Sequence, residues 1–114
     1  MADQSALTFV NLTPHEVTVR ADEGDISWPT SGIARVEDYA EPIAPLGGVP
    51  AVVLATGKVV GLPDPVPGVV YIVSRVLAGA VPDRRDIVFP FGEIRDEAGR
   101  IVAVSALARF RQNS

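Results

Sequence analysis

The sequence predicts a mainly β fold: a small single-domain β-barrel or sandwich with one short α-helix at about residues 74–81. Apolar residues make up 47% of the chain and are mostly Val, Ala, Ile and Leu, a composition that favours strands. Candidate strands also recur at intervals of about 8–12 residues with turn signals between them. The 114 residues leave room for one core, so residues 1–114 are predicted to form one domain with frayed ends at 1–5 and 110–114.

The first third of the chain predicts four short strands separated by turns, at residues 6–12, 16–20, 26–28 and 33–37. The first strand stops at Thr13-Pro14-His15, because proline has no N–H to give to a β-ladder. The second and fourth alternate polar and apolar residues, the pattern of a half-buried strand. The acidic stretch 22–25 has the composition of a turn, and Pro29 ends the third strand.

Residues 38–50 contain three prolines and two glycines, which predicts an ordered but irregular loop. A hairpin is predicted next, with strands at 50–54 and 58–62 around the turn Ala55-Thr56-Gly57. Residues 63–68 carry three prolines in five positions and predict a stiff, extended connector.

The second half predicts a central strand, the helix, and a final hairpin. Residues 69–73 form the most apolar β-branched run, and Ser74 is a suitable N-cap for a helix that Pro82 ends. After the charged loop 83–86, strands are predicted at 87–89, 93–95 and 100–106, with a turn at 96–99.

Composition excludes several kinds of site. Without cysteine there is no disulfide, thiolate zinc site, iron–sulfur cluster or Cys nucleophile, and a single histidine argues against a His-rich metal site. No Gly-rich phosphate loop is present, so we expect neither a metal nor a resident cofactor. The N-terminus lacks the pattern of a signal peptide, and apolar runs are far shorter than the roughly 18 residues of a membrane span, so we expect a cytoplasmic protein with no membrane partner.

The net charge of −4 argues against a nucleic-acid partner. The charge is uneven: residues 1–57 carry eight acids and two bases, giving −6, while residues 58–114 carry six acids and eight bases, giving +2. If the protein binds an anion, the arginines of the second half are expected to supply the charge. The alternative is that these arginines only keep the hairpins soluble.

Three places offer polar chemistry. Ser74 lies where a strand passes into a helix, and either caps that helix or also donates to an anion. His15 is either a turn residue, a ligand contact or an acid–base group. The loop Asp83-Arg84-Arg85-Asp86 is either an internal salt-bridge network or an anion site, because a guanidinium matches a carboxylate or phosphate with two hydrogen bonds.

Three segments resemble a group of small uncharacterised proteins of bacteria and their phages: residues 11–19 (NLTPHEVTV), residues 61–90 (GLPDPVPGVVYIVSRVLAGAVPDRRDIVFP) and residues 95–104 (RDEAGRIVAV). The resemblance spans nearly the whole chain except residues 22–50. It transfers no catalytic role, but it implies that its polar motif positions have a function; these are Asn11, Thr13, His15, Tyr71, Ser74, Arg85 and Asp86.

These observations predict a non-catalytic module for an anionic small molecule such as a nucleotide-like signal, which a phage protein could sequester. The predicted ligand-binding residues are Asn11, Thr13, His15, Tyr71 (by stacking), Ser74, Arg84, Arg85 and Asp86. One alternative is a small enzyme that uses His15 as acid or base, with arginine stabilising an anion. Another is a structural or assembly protein whose strand edges pair in a homo-oligomer.

Overall fold

The computed structural model describes residues 7–111 and confirms a mainly β fold with one short helix. In chain order the elements are β1 (Thr8–Asn11), β2 (Val17–Ala21), β3 (Gly24–Trp28), β4 (Arg35–Leu46), β5 (Val49–Val60), β6 (Val69–Ile72), α1 (Arg75–Ala80), β7 (Ile87–Arg95) and β8 (Ile101–Ala108). No helix among these residues is long and apolar enough to cross a membrane.

Six strands form one sheet in the order β1-β6-β7-β8-β2-β3. The pairs β1–β6, β6–β7 and β2–β8 are parallel, whereas β7–β8 and β2–β3 are antiparallel. An isolated bridge between Asn11, at the end of β1, and Thr30, just after β3, brings the two edges of the sheet together. The sheet is therefore nearly closed, as in a small barrel.

The core is aliphatic and lies on both sides of β6. Its larger cluster joins the sheet to the helix and includes Tyr71, Val73, Leu77, Ile87 and Phe89. A smaller cluster on the other side contains Val17, Val70, Ile72 and Val88. The β-branched run 69–73 is buried on both faces, as expected for a strand with parallel neighbours on both sides.

Helix α1 confirms the capping prediction. The Ser74 hydroxyl oxygen accepts a hydrogen bond from the Leu77 backbone N–H at 3.2 Å. Leu77 and Ala78 are buried and anchor the helix to the sheet, while Val76 on the outer face is 72% exposed. A helix of six residues depends on this buried contact, because its own hydrogen bonds are too few to hold it.

The predicted irregular loop at residues 38–50 is wrong. Strand β4 continues through it to Leu46, and β5 runs unbroken from Val49 to Val60, so that the two form a long antiparallel hairpin. The chain turns at Gly47 and Gly48, whose φ angles of 56° and 82° suit a tight hairpin turn, and not at residues 55–57. Prolines are tolerated because both strands of a two-stranded ribbon have an open edge.

Two further predictions need correction. Strand β7 is continuous from Ile87 to Arg95, although the sequence predicted separate strands at 87–89 and 93–95. Phe110, predicted to lie in a frayed end, packs its ring 4.9 Å from the ring of Phe89. The fraying predicted for residues 1–5 and 112–114 lies outside the described residues.

Candidate functional site

Asn11 organises the corner between β1 and β2. Its side chain is 1% exposed, and every polar atom of it is hydrogen bonded. The Nδ2 group donates to the backbone oxygens of His15 (2.8 Å) and Trp28 (2.9 Å). The Oδ1 atom accepts from the N–H and the hydroxyl of Thr13, at 2.9 and 2.7 Å. One buried amide thus fixes both ends of the turn Thr13-Pro14-His15.

A second tie holds this corner to the far edge of the sheet. The Thr30 hydroxyl donates to the backbone oxygen of Thr13, and the Thr13 hydroxyl lies 2.9 Å from the backbone oxygen of His15. The His15 side chain is exposed, and the hydrogen bonds of the corner use only the backbone oxygen of this residue. The corner therefore fixes the backbone at His15 and leaves the imidazole accessible.

The topology places Ser74 beside this corner. Strands β1 and β6 are parallel, with Asn11 opposite Ile72. The backbone N–H of Leu12 donates to the Ile72 oxygen at 2.8 Å, so the segments that follow β1 and β6 leave the sheet side by side. Residues that follow parallel strands meet at one edge of the sheet, which is where small molecules bind in many open sheets.

A groove of about 280 Å³ opens at this edge. Its polar side chains are Thr13, His15, Glu16, Thr18 and Ser74. Its apolar walls come from β2, β7 and β8, namely Val17, Pro90, Ile101, Val102, Ala103 and Val104. The volume is close to the lower end of small-molecule sites, about 300 Å³.

The groove lies beside the junction of β2 and β8. These parallel strands have one register pair, Val19 with Val104, and the groove is lined by Val104 and by residues that precede this pair on each strand. Each strand also pairs with another neighbour, β3 for β2 and β7 for β8. The groove therefore forms where two strands that are distant in sequence meet.

The groove combines five polar lining residues with six apolar ones. The Ser74 hydroxyl uses an oxygen lone pair to accept from the Leu77 N–H, so its O–H can still donate a hydrogen bond to a ligand. His15 is the one side chain in the groove lining that can become cationic, and Glu16 is the one carboxylate. Such a site can hydrogen bond a polar group while an apolar or planar body lies against Val102 and Ile101.

Three of the predicted site residues, Thr13, His15 and Ser74, thus line the same groove, and Asn11 holds the backbone of Thr13 and His15 through its side-chain hydrogen bonds. Tyr71 does not join them: it is 5% exposed and belongs to the core cluster. Its ring packs among apolar residues and is not available for stacking on a ligand.

The predicted arginine site also lies elsewhere. Arg84 binds Asp86 through two nitrogens, at 2.8 and 2.7 Å, and donates to the backbone oxygen of Pro63 at 2.9 Å. Side-chain exposures of 21% and 14% place this pair largely under the surface. Arg85 is exposed, and none of these three residues lines the groove.

The hydrogen bonds between Arg84 and Asp86 lower the pKa of Asp86 below its ordinary value, against the opposing effect of burial. The same hydrogen bonds raise the pKa of Arg84. The pair fastens the 63–68 connector to the loop before β7. For Arg84 and Asp86, the contacts therefore match the second interpretation of this loop, an internal salt-bridge network.

Sequence reasoning missed most of the groove walls. Glu16, Thr18, Pro90 and the start of β8 line the groove. The sequence predicted only that Glu16, Thr18 and the start of β8 lie in strands and that Pro90 ends one. No local signal could have found them, because the groove depends on the pairing of β2 with β8. The paired residues, Val19 and Val104, are 85 positions apart in sequence (104 − 19).

Comparisons with protein-family models, curated proteins and solved structures gave no match for this chain. The resemblance to the small bacterial and phage proteins therefore stays a prediction. Within residues 7–111, no three His, Asp or Glu side chains are grouped in a way that would hold a metal ion.

Proposed function

We propose that the protein is a non-catalytic binding module for a small molecule that joins an apolar or planar body to an anionic group, the class to which nucleotides belong. The observation that carries this proposal is that Thr13, His15 and Ser74 line one groove whose other walls are mostly apolar. Hydroxyls and an imidazole can donate to phosphate or carboxylate oxygens. The apolar walls add burial, which is the larger part of affinity in most small-molecule sites.

The site of this proposal differs from the one expected from sequence. Arg84 is engaged by Asp86 and does not line the groove, so the donors that the groove offers to an anion are Thr13, His15 and Ser74. Glu16 follows His15 in the chain and lines the same groove, so its carboxylate repels an anion there, and the donors Thr13, His15 and Ser74 have to outweigh that repulsion. A mononucleotide or a cyclic nucleotide joins one anionic group to a planar base, which suits a groove with both polar residues and apolar walls.

A thermal-shift screen tests the proposal, because a ligand that binds the folded state raises its melting temperature by mass action. We expect mononucleotides or cyclic nucleotides to stabilise the protein and the matching neutral nucleosides to stabilise it less. Recovery of the ligand chemically unchanged would distinguish binding from turnover. The absence of any shift across the screen would contradict the proposal.

Two variants locate the response. Val102→Trp fills the groove and should abolish the ligand-induced shift, whereas Val66→Trp, at an equally exposed valine in the connector, should preserve it (exposures of 44% and 49%). His15→Ala should remove the preference for nucleotides over nucleosides. If His15→Ala keeps that preference, the imidazole does not contribute to binding of the anionic group.

A further inference from the structure

The hairpin of β4 and β5 stands out from the rest of the molecule. Only its base is held: Val36 and Val59 pack against the core, and residues 39–55 beyond them have exposed side chains almost throughout. We call residues 39–55 the arm. The arm makes the molecule elongated, with extents of 59 × 40 × 27 Å and a radius of gyration of 17.5 Å, where a compact chain of this length has about 13 Å.

The arm is apolar on both faces. Residues opposite each other in an antiparallel pair share a face, so Ala40 and Leu54 lie with Pro42 and Val52 on one side. Tyr39, Ile43 and Val53 lie on the other side together with Glu41. We call the first of these sides the uncharged face, since within the arm it carries no ionisable group.

This pattern conflicts with an arm surrounded by water. A solvated ribbon alternates apolar and polar residues, whereas runs that are apolar on both faces belong to strands that are buried on both faces. A lone two-stranded hairpin is also marginally stable. The arm therefore has the sequence of a strand pair that is buried on both faces, although its side chains are exposed to solvent here.

The exposed apolar area of the arm is divided between its two faces. Seven large apolar side chains of the arm are between 42% and 68% exposed; they are Tyr39, Ile43, Leu46, Val49, Val52, Val53 and Leu54. Of these, Val52 and Leu54 lie on the uncharged face, next to the exposed Ala40 and Pro42. These four residues offer on the order of 300 Å², within the range of functional surface patches. Two such faces in contact would bury roughly 600 Å², the size of a weak, reversible interface.

We infer that the arm is a dimerisation element that packs its uncharged face against the same face of a second copy of this chain. A flat face without charge is complementary to itself, as a two-fold interface requires. Asp38 adjoins this face at the base of the arm. Antiparallel packing about a two-fold axis keeps the two Asp38 carboxylates at opposite ends, so they do not repel each other.

A second copy also fits the charge of the protein. The chain carries a net charge of −4, which opposes close contact between copies except through uncharged surfaces such as this one. The arm extends away from the body and can reach a partner before the two bodies touch. This inference does not depend on the groove, so the two proposals succeed or fail separately.

Analytical ultracentrifugation of the full chain at up to about 100 µM tests the inference, because even a weak interface of this size associates in that range. The wild-type protein is expected to be a dimer. The double variant Val52→Glu/Leu54→Glu places two charges on each copy's uncharged face and should weaken the dimer by about a hundredfold or more.

The matched control is Val76→Glu on α1, which changes a valine of comparable or greater exposure (72%, against 58% for Val52) outside the arm. It should leave the dimer intact, and circular dichroism should show the same fold in all three proteins. A monomeric wild-type protein would overturn the inference. So would a dimer that survives in the double variant, or one that is lost in Val76→Glu.

Discussion

At the scale of single residues, Asn11 matters more to the candidate site than its position beside the only histidine suggests. A carboxamide can donate twice and accept twice, and here all four bonds are made inside one corner of the sheet. A buried polar group is costly unless it is fully satisfied, so this one specifies a single geometry for the turn. Thr13 and His15 reach the groove from that fixed turn.

Replacing Asn11 should therefore destabilise the fold. Asn11→Ala leaves the backbone groups of Thr13, His15 and Trp28 without their partner, and we expect a loss of about 3 kcal/mol in the free energy of unfolding. Thr13→Val, which removes one hydroxyl from the same corner, should cost about 1 kcal/mol. Urea denaturation measures both values, and an Asn11→Ala protein as stable as wild type would refute this account of the corner.

The Arg84–Asp86 pair makes stability depend on pH. The folded state holds the pKa of Asp86 below its unfolded value, so the folded protein binds this proton less readily than the unfolded chain. The pair's contribution is complete above the unfolded pKa of about 3.9 and is lost as the pH falls through the lower, folded value. Asp86→Asn should be less stable than wild type near neutrality, and the difference should shrink in acid.

Asp25→Asn is the control for this prediction. Asp25 pairs with Arg20 at 3.1 Å on the surface, where both side chains are nearly half exposed. Solvent screens such a pair, so its loss should change stability less than the loss of Asp86 does. Denaturation curves at several pH values compare the two variants, and a stability gap for Asp86→Asn that stays constant into acid would contradict the assignment.

At the scale of elements, local signals predicted most of the fold. The alternation in 16–20, the β-branched run 69–73 and the Ser74 cap all correspond to observed elements, because each depends on neighbours within a few residues. The hairpin at 38–60 was mispredicted because local signals do not show how many partners a strand has. Prolines are excluded from a strand with two neighbours, so they suggested a loop, but they are tolerated in a two-stranded ribbon whose outer edges are both open.

Gly57 sets the base of the arm. The strand register shifts between Val36 and Asp38, and a Cβ atom on Gly57 would collide with the backbone oxygen of Glu37 and approach the Tyr39 ring to 2.7 Å. We expect Gly57→Ala to cost about 1–3 kcal/mol, since backbone must move to relieve the contact.

Gly79→Ala on α1 provides the matched control. There the added methyl group would meet only the Phe110 ring at 3.8 Å, an ordinary contact, and alanine favours a helix by about 1 kcal/mol. Thermal unfolding should show Gly57→Ala below wild type and Gly79→Ala at or above it. Equal melting temperatures for the two variants would show that the bulge at the arm base is not sterically constrained.

At the scale of the whole molecule, the sheet and the arm divide the work. The nearly closed sheet positions the groove beside the junction of β2 and β8, and the arm presents an apolar surface of its own. Neither feature was accessible from sequence, because the groove depends on a pairing between distant strands and the arm on a hairpin that its prolines disguise. The predicted members Thr13, His15 and Ser74 converge, whereas Tyr71 and Arg84 serve the fold.

We propose that the groove between the Asn11 corner and the start of β8 binds a small anionic molecule. Titration of the ¹⁵N-labelled protein with adenosine monophosphate and with a cyclic dinucleotide, followed by NMR, tests this proposal. We expect at least one of the two ligands to produce saturable amide shifts that cluster at Thr13, His15, Ser74 and Val102, with little change at Arg84–Asp86. Shifts centred on the 83–86 loop, or no shifts with either ligand, would refute the proposal.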